Sequence, residues 1–266
     1  MTSDKTIELG KARIGKNMRV YAIGDIHGCL AELKKLFKII KKDLAERPIK
    51  KHRIIFIGDY VDRGPDCKGV IDYLIDLKMR GENVTFLLGN HEEKLIRVFT
   101  DIDRRSMPGF FRYGGLETLA SYGLPAETIE TILGDAPRSK DLKKLSTMVK
   151  KHLGKAHVKF LSKLKTSTTQ GDYFFCHAGI DPSRSFHDQD DYELVWMREP
   201  FLSWPRPLQK VVVHGHTPRS TPEAMPHRIN VDTGCVYGRM LTAVVLEKKS
   251  HHFLQVKAKY KYRKGD

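Results

Sequence analysis

The sequence predicts an α/β protein in which two β-sheets pack face to face with helices outside. Three observations carry that expectation. Apolar strand-like runs alternate with helical periodicity through the first hundred residues. Beyond about residue 170 the runs become short, β-branched and alternating. Three of the early strands end in glycine-led polar clusters at nearly equal spacing. A chain of 266 residues suffices for one substantial core, so a single domain is expected over 1–266, with a mostly helical insertion at about 100–169.

Residues 1–17 are polar and read as an edge strand or a loose lead-in. Met18 to Ile23 is the first strand and runs into Gly24-Asp25-Ile26-His27-Gly28. Leu30, Leu33, Phe37, Ile40 and Leu44 then recur at helical spacing, predicting a helix that leaves the cluster and stops near Arg47-Pro48. The second strand, Arg53 to Ile57, leads into Gly58-Asp59-Tyr60-Val61-Asp62-Arg63-Gly64. Val70, Ile71, Leu74, Ile75 and Leu77 mark a helix closing at Arg80-Gly81. The third strand, Val84 to Leu88, ends in Gly89-Asn90-His91-Glu92, and a helix from Glu92 to about Phe99 points its N-terminus at the cluster, which favours anions. No core strand is expected in 100–169, a segment that either shapes substrate choice or covers a sheet edge. Strands follow at Tyr173 to Cys176 and Lys210 to Val213. Ile229 to Val231, Met240 to Leu246 and Phe253 to Val256 read as antiparallel strands, and Lys257 to Asp266 as a frayed end.

Asp25 and Asp59 lie 34 residues apart, and Asp59 and Asn90 lie 31 apart, the length of a βαβ unit. Parallel neighbours would bring Asp25, His27, Asp59, Asn90 and His91 together beyond the carboxyl ends of the strands, where open sheets bind ligands. A Gly-Asp pair alone is ordinarily a turn, and a histidine near an apolar strand ordinarily a hydrogen-bonded core residue. Repetition of the pattern distinguishes these. Crowded carboxylates and imidazoles repel or desolvate one another unless a cation holds them. Asp25 and His27 are two apart, so an extended strand end would aim both at one ion. Mixed carboxylate and imidazole donors suit manganese, iron or zinc better than calcium.

GDIHG (24–28), GDYVDRG (58–64) and GNHE (89–92) resemble the three-part signature of the phosphoprotein phosphatase family of metallophosphoesterases. Cys176-His177-Ala178-Gly179 and His214-Gly215-His216-Thr217 resemble its two distal histidine motifs. The resemblance implies a four-layer α/β/β/α sandwich of the calcineurin-like type holding two divalent cations, manganese first, with iron or zinc as alternatives. It implies Asp25, His27 and Asp59 on the first cation and Asp59, Asn90, His177 and His216 on the second. Neutral Asn90 would bind without adding charge to a crowded site. His91, assisted by Asp62, would protonate the leaving oxygen, and Arg63 would hold phosphate. Trp196-Met197-Arg198 resembles the Trp-x-Arg element of bacterial and phage members, making Arg198 the second phosphate ligand and Arg184 the fallback. His214 would orient a ligand or touch phosphate. Val231 to Gly238 resembles bacterial members and the diadenosine tetraphosphatase branch and is given a structural role near the site. The Ser-Ala-Pro-Asn-Tyr-Cys element of eukaryotic protein phosphatases is absent, so their regulatory subunits are not implied.

The implied reaction is hydrolysis of phosphate monoesters by direct attack of a metal-bridging hydroxide, with phosphoserine or phosphothreonine in proteins as the first expectation. A bis(5'-nucleosyl)-tetraphosphatase-like hydrolase is the alternative, and a nucleic-acid-binding protein on a phosphatase fold is a third reading. The last rests on a net charge of +15, from 47 basic and 32 acidic residues. The lysines are spread over several segments without a nucleic-acid motif, which favours a diffuse attraction for phosphorylated protein or small phosphoester substrates over a specific nucleic-acid partner. No window reaches the roughly 18 apolar residues of a membrane span, and the N-terminus lacks a signal-peptide core, so the cytoplasm is the expected location. Cys29, Cys67, Cys176 and Cys235 are far apart and form no CxxC pair, so neither a disulfide framework nor a zinc ribbon is expected.

Overall fold

The three early strands form as parallel neighbours in the computed structural model, which describes residues 6–101, 105–134 and 137–262. β1 (Met18–Ile23), α1 (Leu30–Glu46), β2 (Lys51–Phe56), α2 (Cys67–Met79) and β3 (Val84–Phe86) make two successive crossovers, and α3 (Asn90–Asp101) follows. The insertion contributes α4 (Ser106–Arg112), α5 (Gly115–Ser121), α6 (Ala126–Leu133) and α7 (Ser139–Leu161). β4 (Ser167–Gln170), β5 (Tyr173–Cys176), α8 (Asp191–Trp196), β6 (Val211–His214), β7 (Glu223–Met225), β8 (Arg228–Asn230), β9 (Met240–Glu247) and β10 (Ser250–Lys257) complete the order.

One sheet runs β10-β9-β1-β2-β3 and the other β4-β5-β6-β8-β7. Side chains alternate along β1, and the alternation sorts the core. Val20 and Ala22 join Ile55, Ile57, Phe175, Val211, Val213 and Val244 between the sheets, while Tyr21 and Ile23 face the α1 and α2 residues Leu33, Leu36, Val70 and Leu74. On the far side of the second sheet, Phe174, Cys176 and Val212 pack on Leu194 and Phe201. The layers are therefore helix, sheet, sheet, and an outer cover of short α8 and loops, a mixed α/β sandwich of the expected kind. Each fully buried leucine or valine contributes about 1.5–3 kcal/mol, so the intersheet layer rigidly fixes where the strands end.

Four expectations need correction. Ser167 to Thr169 is not insertion but β4, which pairs antiparallel with β5, so the helical excursion ends at Leu161. β8 is antiparallel to β7 as expected but parallel to its other neighbour, β6, because β7 and a tight turn reverse the chain first. The lead-in is not loose: Leu9, Ala12 and Ile14 are buried between the sheets and Ile7 bridges Leu208. The tail is docked as far as Tyr262, whose amide donates to the Val236 carbonyl at 3.0 Å; residues 263–266 lie outside the described residues, as do 1–5. Among the described residues no helix is long and apolar enough to cross a membrane.

Candidate metal centre

The ends of β1, β2 and β3 from one sheet and of β5 and β6 from the other open onto a single buried volume. The amides of Ile26 and His27 donate to the Asp59 carbonyl at 2.9 and 2.8 Å, and the Gly28 amide to the Tyr60 carbonyl at 2.9 Å, clamping the first motif onto the second. The Gly215 amide donates to the His177 carbonyl at 2.8 Å and joins the two distal motifs. Two glycines permit this closeness: a Cβ at Gly89 would lie 2.2 Å from Asp59 Oδ1, and one at Gly215 would lie 2.1 Å from Asp25 Oδ1. Asp25 and His27 are not carried on an extended strand end, and Asp25 stands outside the two histidine and Asp59 triads. β1 stops at Ile23 and His27 has φ +44°, so a turn aims them. Asp59, Asp62, Arg63 and His216 are also left-handed, at φ +52°, +68°, +68° and +65°. Such residues cost on the order of 1–3 kcal/mol each and gather where geometry serves function.

His27 and His177 are oriented by backbone carbonyls behind them. His27 Nδ1 lies 2.7 Å from the Val61 carbonyl, leaving Nε2 3.4 Å from Asp59 Oδ2. His177 Nδ1 lies 3.2 Å from the Ile57 carbonyl, and its Nε2 lies 2.9 Å from Asn90 Oδ1 and 3.3 Å from Asp59 Oδ1. His216 Nδ1 is 2.9 Å from the same Asn90 oxygen. Asp59 thus presents one oxygen to His27 and the other to His177. Donor atoms of His27, Asp59 and His91, and of Asp59, His177 and His216, each lie within 4.8 Å of one another, two triads sharing Asp59. The Asp25 carboxylate accepts the His216 amide at 3.1 Å.

Electrostatics make this volume one for a cation. Burial, with Asp232 and Asp59 nearby, pushes the Asp25 carboxyl well above its usual range. Burial also opposes charge on Asp59, but the imidazoles of His177 and His91 outweigh it and hold that carboxyl well below the usual range. Burial, reinforced by Arg63 at His27 and by His177 at His216, lowers both imidazoles and so disfavours their charged forms. Buried carboxylates with inward-facing imidazole nitrogens and an amide oxygen are the donor set divalent transition metals take. The residues fit the implied cations.

The other predicted residues divide. His91 Nδ1 lies 2.7 Å from Asp62 Oδ2, and its Nε2 faces Asp59 Oδ2 at 3.8 Å. Arg63 reaches in, with Nη1 3.0 Å from His27 Nε2. Arg198 is exposed at the rim, near enough to His216 to depress that imidazole. Arg184 is not with the cluster; Asp181 and Glu193 hold it at 3.3 and 3.8 Å. His214 packs its ring on Phe201, with Nδ1 3.0 Å from the Gly215 carbonyl, and burial pushes it down to about 3. From the Val231 to Gly238 run, Asp232 adjoins Asp25 and Tyr237 faces the Arg63 guanidinium at 5.8 Å.

Two supporting residues went unread in the sequence. Thr118 of α5 donates its hydroxyl to Asp62 Oδ1 at 2.5 Å and accepts the Asp62 amide at 2.8 Å, so the insertion positions the partner of His91. Glu92 accepts the amides of Asp59, Tyr60, Val61 and Gly89 at 2.8, 2.7, 3.1 and 3.1 Å. Its place three residues after Gly89 was the one available signal. Glu92→Ala leaves four buried donors without an acceptor and is expected to cost about 3–5 kcal/mol. Urea unfolding measures this; a loss below about 1 kcal/mol would show that the central turn holds without it.

Strand-end carboxylates and histidines on two facing sheets, sharing one central aspartate, define a metallophosphoesterase centre. The calcineurin-like phosphoesterase family matches residues 18–238, and the chain belongs to it as a hydrolase. It is 28% identical over 252 residues to a bis(5'-nucleosyl)-tetraphosphatase PrpE [asymmetrical] of Oceanobacillus iheyensis, covering 87% of this chain and 90% of that one. Its fold is similar to that of a putative diadenosine tetraphosphatase, with TM-score 0.57, 23% identity, and 90% and 94% of the two chains covered. It is also similar to that of a protein serine/threonine phosphatase from Saccharomyces cerevisiae with similarity to human phosphatase PP5, with TM-score 0.55, 15% identity, and coverage of 95% and 86%.

Proposed function

We propose that the protein hydrolyses dinucleoside tetraphosphates asymmetrically, to a nucleoside triphosphate and a nucleoside monophosphate, with phosphoprotein hydrolysis the lesser reading. The observation that carries this over the first expectation is the near-full-length likeness to tetraphosphatases. A rim of rings beside the metal centre supports it. Tyr113, from the insertion, lies 6.1 Å from His91; Trp196 lies 6.1 Å from His216 and stacks on exposed Tyr192 at 5.9 Å. Lys94 Nζ sits between, 4.0 Å above Trp196 and 5.0 Å above Tyr113. A base can stack on such rings while the ammonium meets the polyphosphate.

The donors assigned to the cations are Asp25, His27 and Asp59 for one and Asp59, Asn90, His177 and His216 for the other. Bound there, the cations would lower the pKa of water and neutralise phosphate charge. Arg63 and Arg198 hold the non-bridging oxygens of the attacked phosphate. As the water oxygen bonds to phosphorus, giving up a proton to solvent, the P–O–P bridge breaks and the bridging oxygen leaves with the electron pair. His91, held through Nδ1 by Asp62 and Thr118, delivers a proton to it from Nε2. The nucleic-acid reading is disfavoured, because a relict has no physical reason to keep the whole donor set and its strained backbone.

The test presents the manganese-loaded enzyme with diadenosine tetraphosphate and with a phosphoserine peptide. The expected result is ATP plus AMP, with kcat/KM for the dinucleotide at least about tenfold higher; the reverse preference would return the reading to phosphoproteins. Tyr192→Ala is expected to raise KM for the dinucleotide about 5- to 150-fold, since a stacked base is worth about 1–3 kcal/mol. An unchanged KM would remove Tyr192 from the base site. The net charge of +15 predicts that kcat/KM falls as salt rises while kcat holds. Tight, sequence-selective oligonucleotide binding at physiological salt would overturn the diffuse-field account.

A further inference from the structure

We propose that Cys29, Glu32 and Cys235 form a second, independent site for a thiophilic divalent cation of the zinc or cadmium type. The two Sγ atoms and a Glu32 carboxylate oxygen lie within 4.8 Å of one another, and all three residues are at most 1% exposed. Tetrahedral zinc with bonds of about 2.0–2.3 Å needs donors roughly 3.3–3.8 Å apart, so small side-chain rotations close the site. Glu32 supplies the decisive sign. One of its oxygens, Oε1, accepts the Lys259 amide at 3.1 Å, but Oε2 is buried with no hydrogen-bond partner, and no ion pair reaches it among the described residues. A buried carboxylate oxygen left bare beside two thiols is costly in an inert core and is accounted for by a cation.

The donors come from segments far apart in sequence. Cys29 caps the start of α1, Glu32 lies in its first turn, and Cys235 belongs to the run that also carries Asp232. Through Lys259 the same carboxylate holds the C-terminal segment. A cavity of about 280 Å³, walled in part by Glu32, Lys34, Asp66 and Tyr262, opens beside the cluster and gives ion and water a path to the fourth coordination position. On binding, two S–H bonds break, two metal–sulfur bonds form, and both protons pass to solvent, with no change of oxidation state. The site shares no donor with the dinuclear centre. Its soft donors disfavour manganese, which suits the harder oxygen- and nitrogen-lined cluster.

The test titrates cadmium into the reduced, manganese-loaded full chain and follows thiolate-to-cadmium charge-transfer absorption, with metal content measured by mass spectrometry. The dinuclear cluster has no cysteine and cannot give this band. Expected are saturation at one cadmium per chain, reversal by zinc, and a higher Tm with the ion bound. Cys29→Ser and Cys235→Ser are expected to abolish the band, Cys176→Ala to keep it, and Glu32→Gln, nearly isosteric, to weaken affinity at least tenfold. No band in the wild-type protein, a band that survives Cys235→Ser, or a Cys29–Cys235 disulfide in place of metal binding would each overturn the proposal. Should a serine variant fail to fold, the wild-type titration and Glu32→Gln still decide it.

Discussion

Asp59→Asn is expected to remove bound metal and turnover together, lowering kcat on the order of 10⁴-fold or more. The substitution preserves size and removes one charge, yet Asp59 is where the two halves of the centre join: Oδ2 faces His27 at 3.4 Å and Oδ1 faces His177 at 3.3 Å. An amide has a single good donor oxygen and cannot serve both. With the proposed cations lost, the buried Asp25 and Asp232 would also be without neutralising charge. Metal content and kcat measured on one preparation check the expectation. Retention of both cations, or turnover within tenfold of the parent, would refute the shared role of Asp59.

His91→Asn is expected to leave both cations bound and to lower kcat by about 10²–10⁴-fold, the usual worth of a positioned general acid. In the proposed reaction His91 would contribute a proton through a ring whose other nitrogen is held by Asp62 and, behind it, Thr118. The loss should track the leaving group, being largest for an alkyl phosphate and smallest for p-nitrophenyl phosphate, whose phenolate leaves with little protonation. Equal losses for the two would contradict proton delivery. Thr118→Val, which removes the hydroxyl between α5 and Asp62, is expected to give a smaller loss with the same leaving-group trend.

How much of this could be read from the sequence follows from what each feature depends on. The three early motifs were legible because each ends an apolar strand and two crossovers of similar length set them side by side, a local pattern. The distal histidines needed the family resemblance, since nothing near His177 or His216 in the chain specifies a metal. The aim of Asp25 and His27 was misread because strand alternation stops at Ile23 and a left-handed residue takes over. β4, Ser-Thr-Thr-Gln, is a polar edge without apolar alternation, and β7 is three residues long, so neither leaves a periodic signal. The bond from Thr118 to Asp62, the rings of Tyr113 and Trp196, and the Cys29–Glu32–Cys235 cluster are contacts across long stretches of chain. Composition and spacing do not encode them. Docking of the tail through Lys259 and Tyr262 escaped for the same reason, as a lysine-rich end has the local look of a frayed one.

The most direct measurement of the central claim is anomalous scattering from crystals grown with manganese. Two peaks about 3.5–4 Å apart are expected, with Asp59 between them, His27 and Asp25 on one and Asn90, His177 and His216 on the other. No manganese peak is expected at Cys29 and Cys235. A single peak, or peaks on other residues, would contradict the claim.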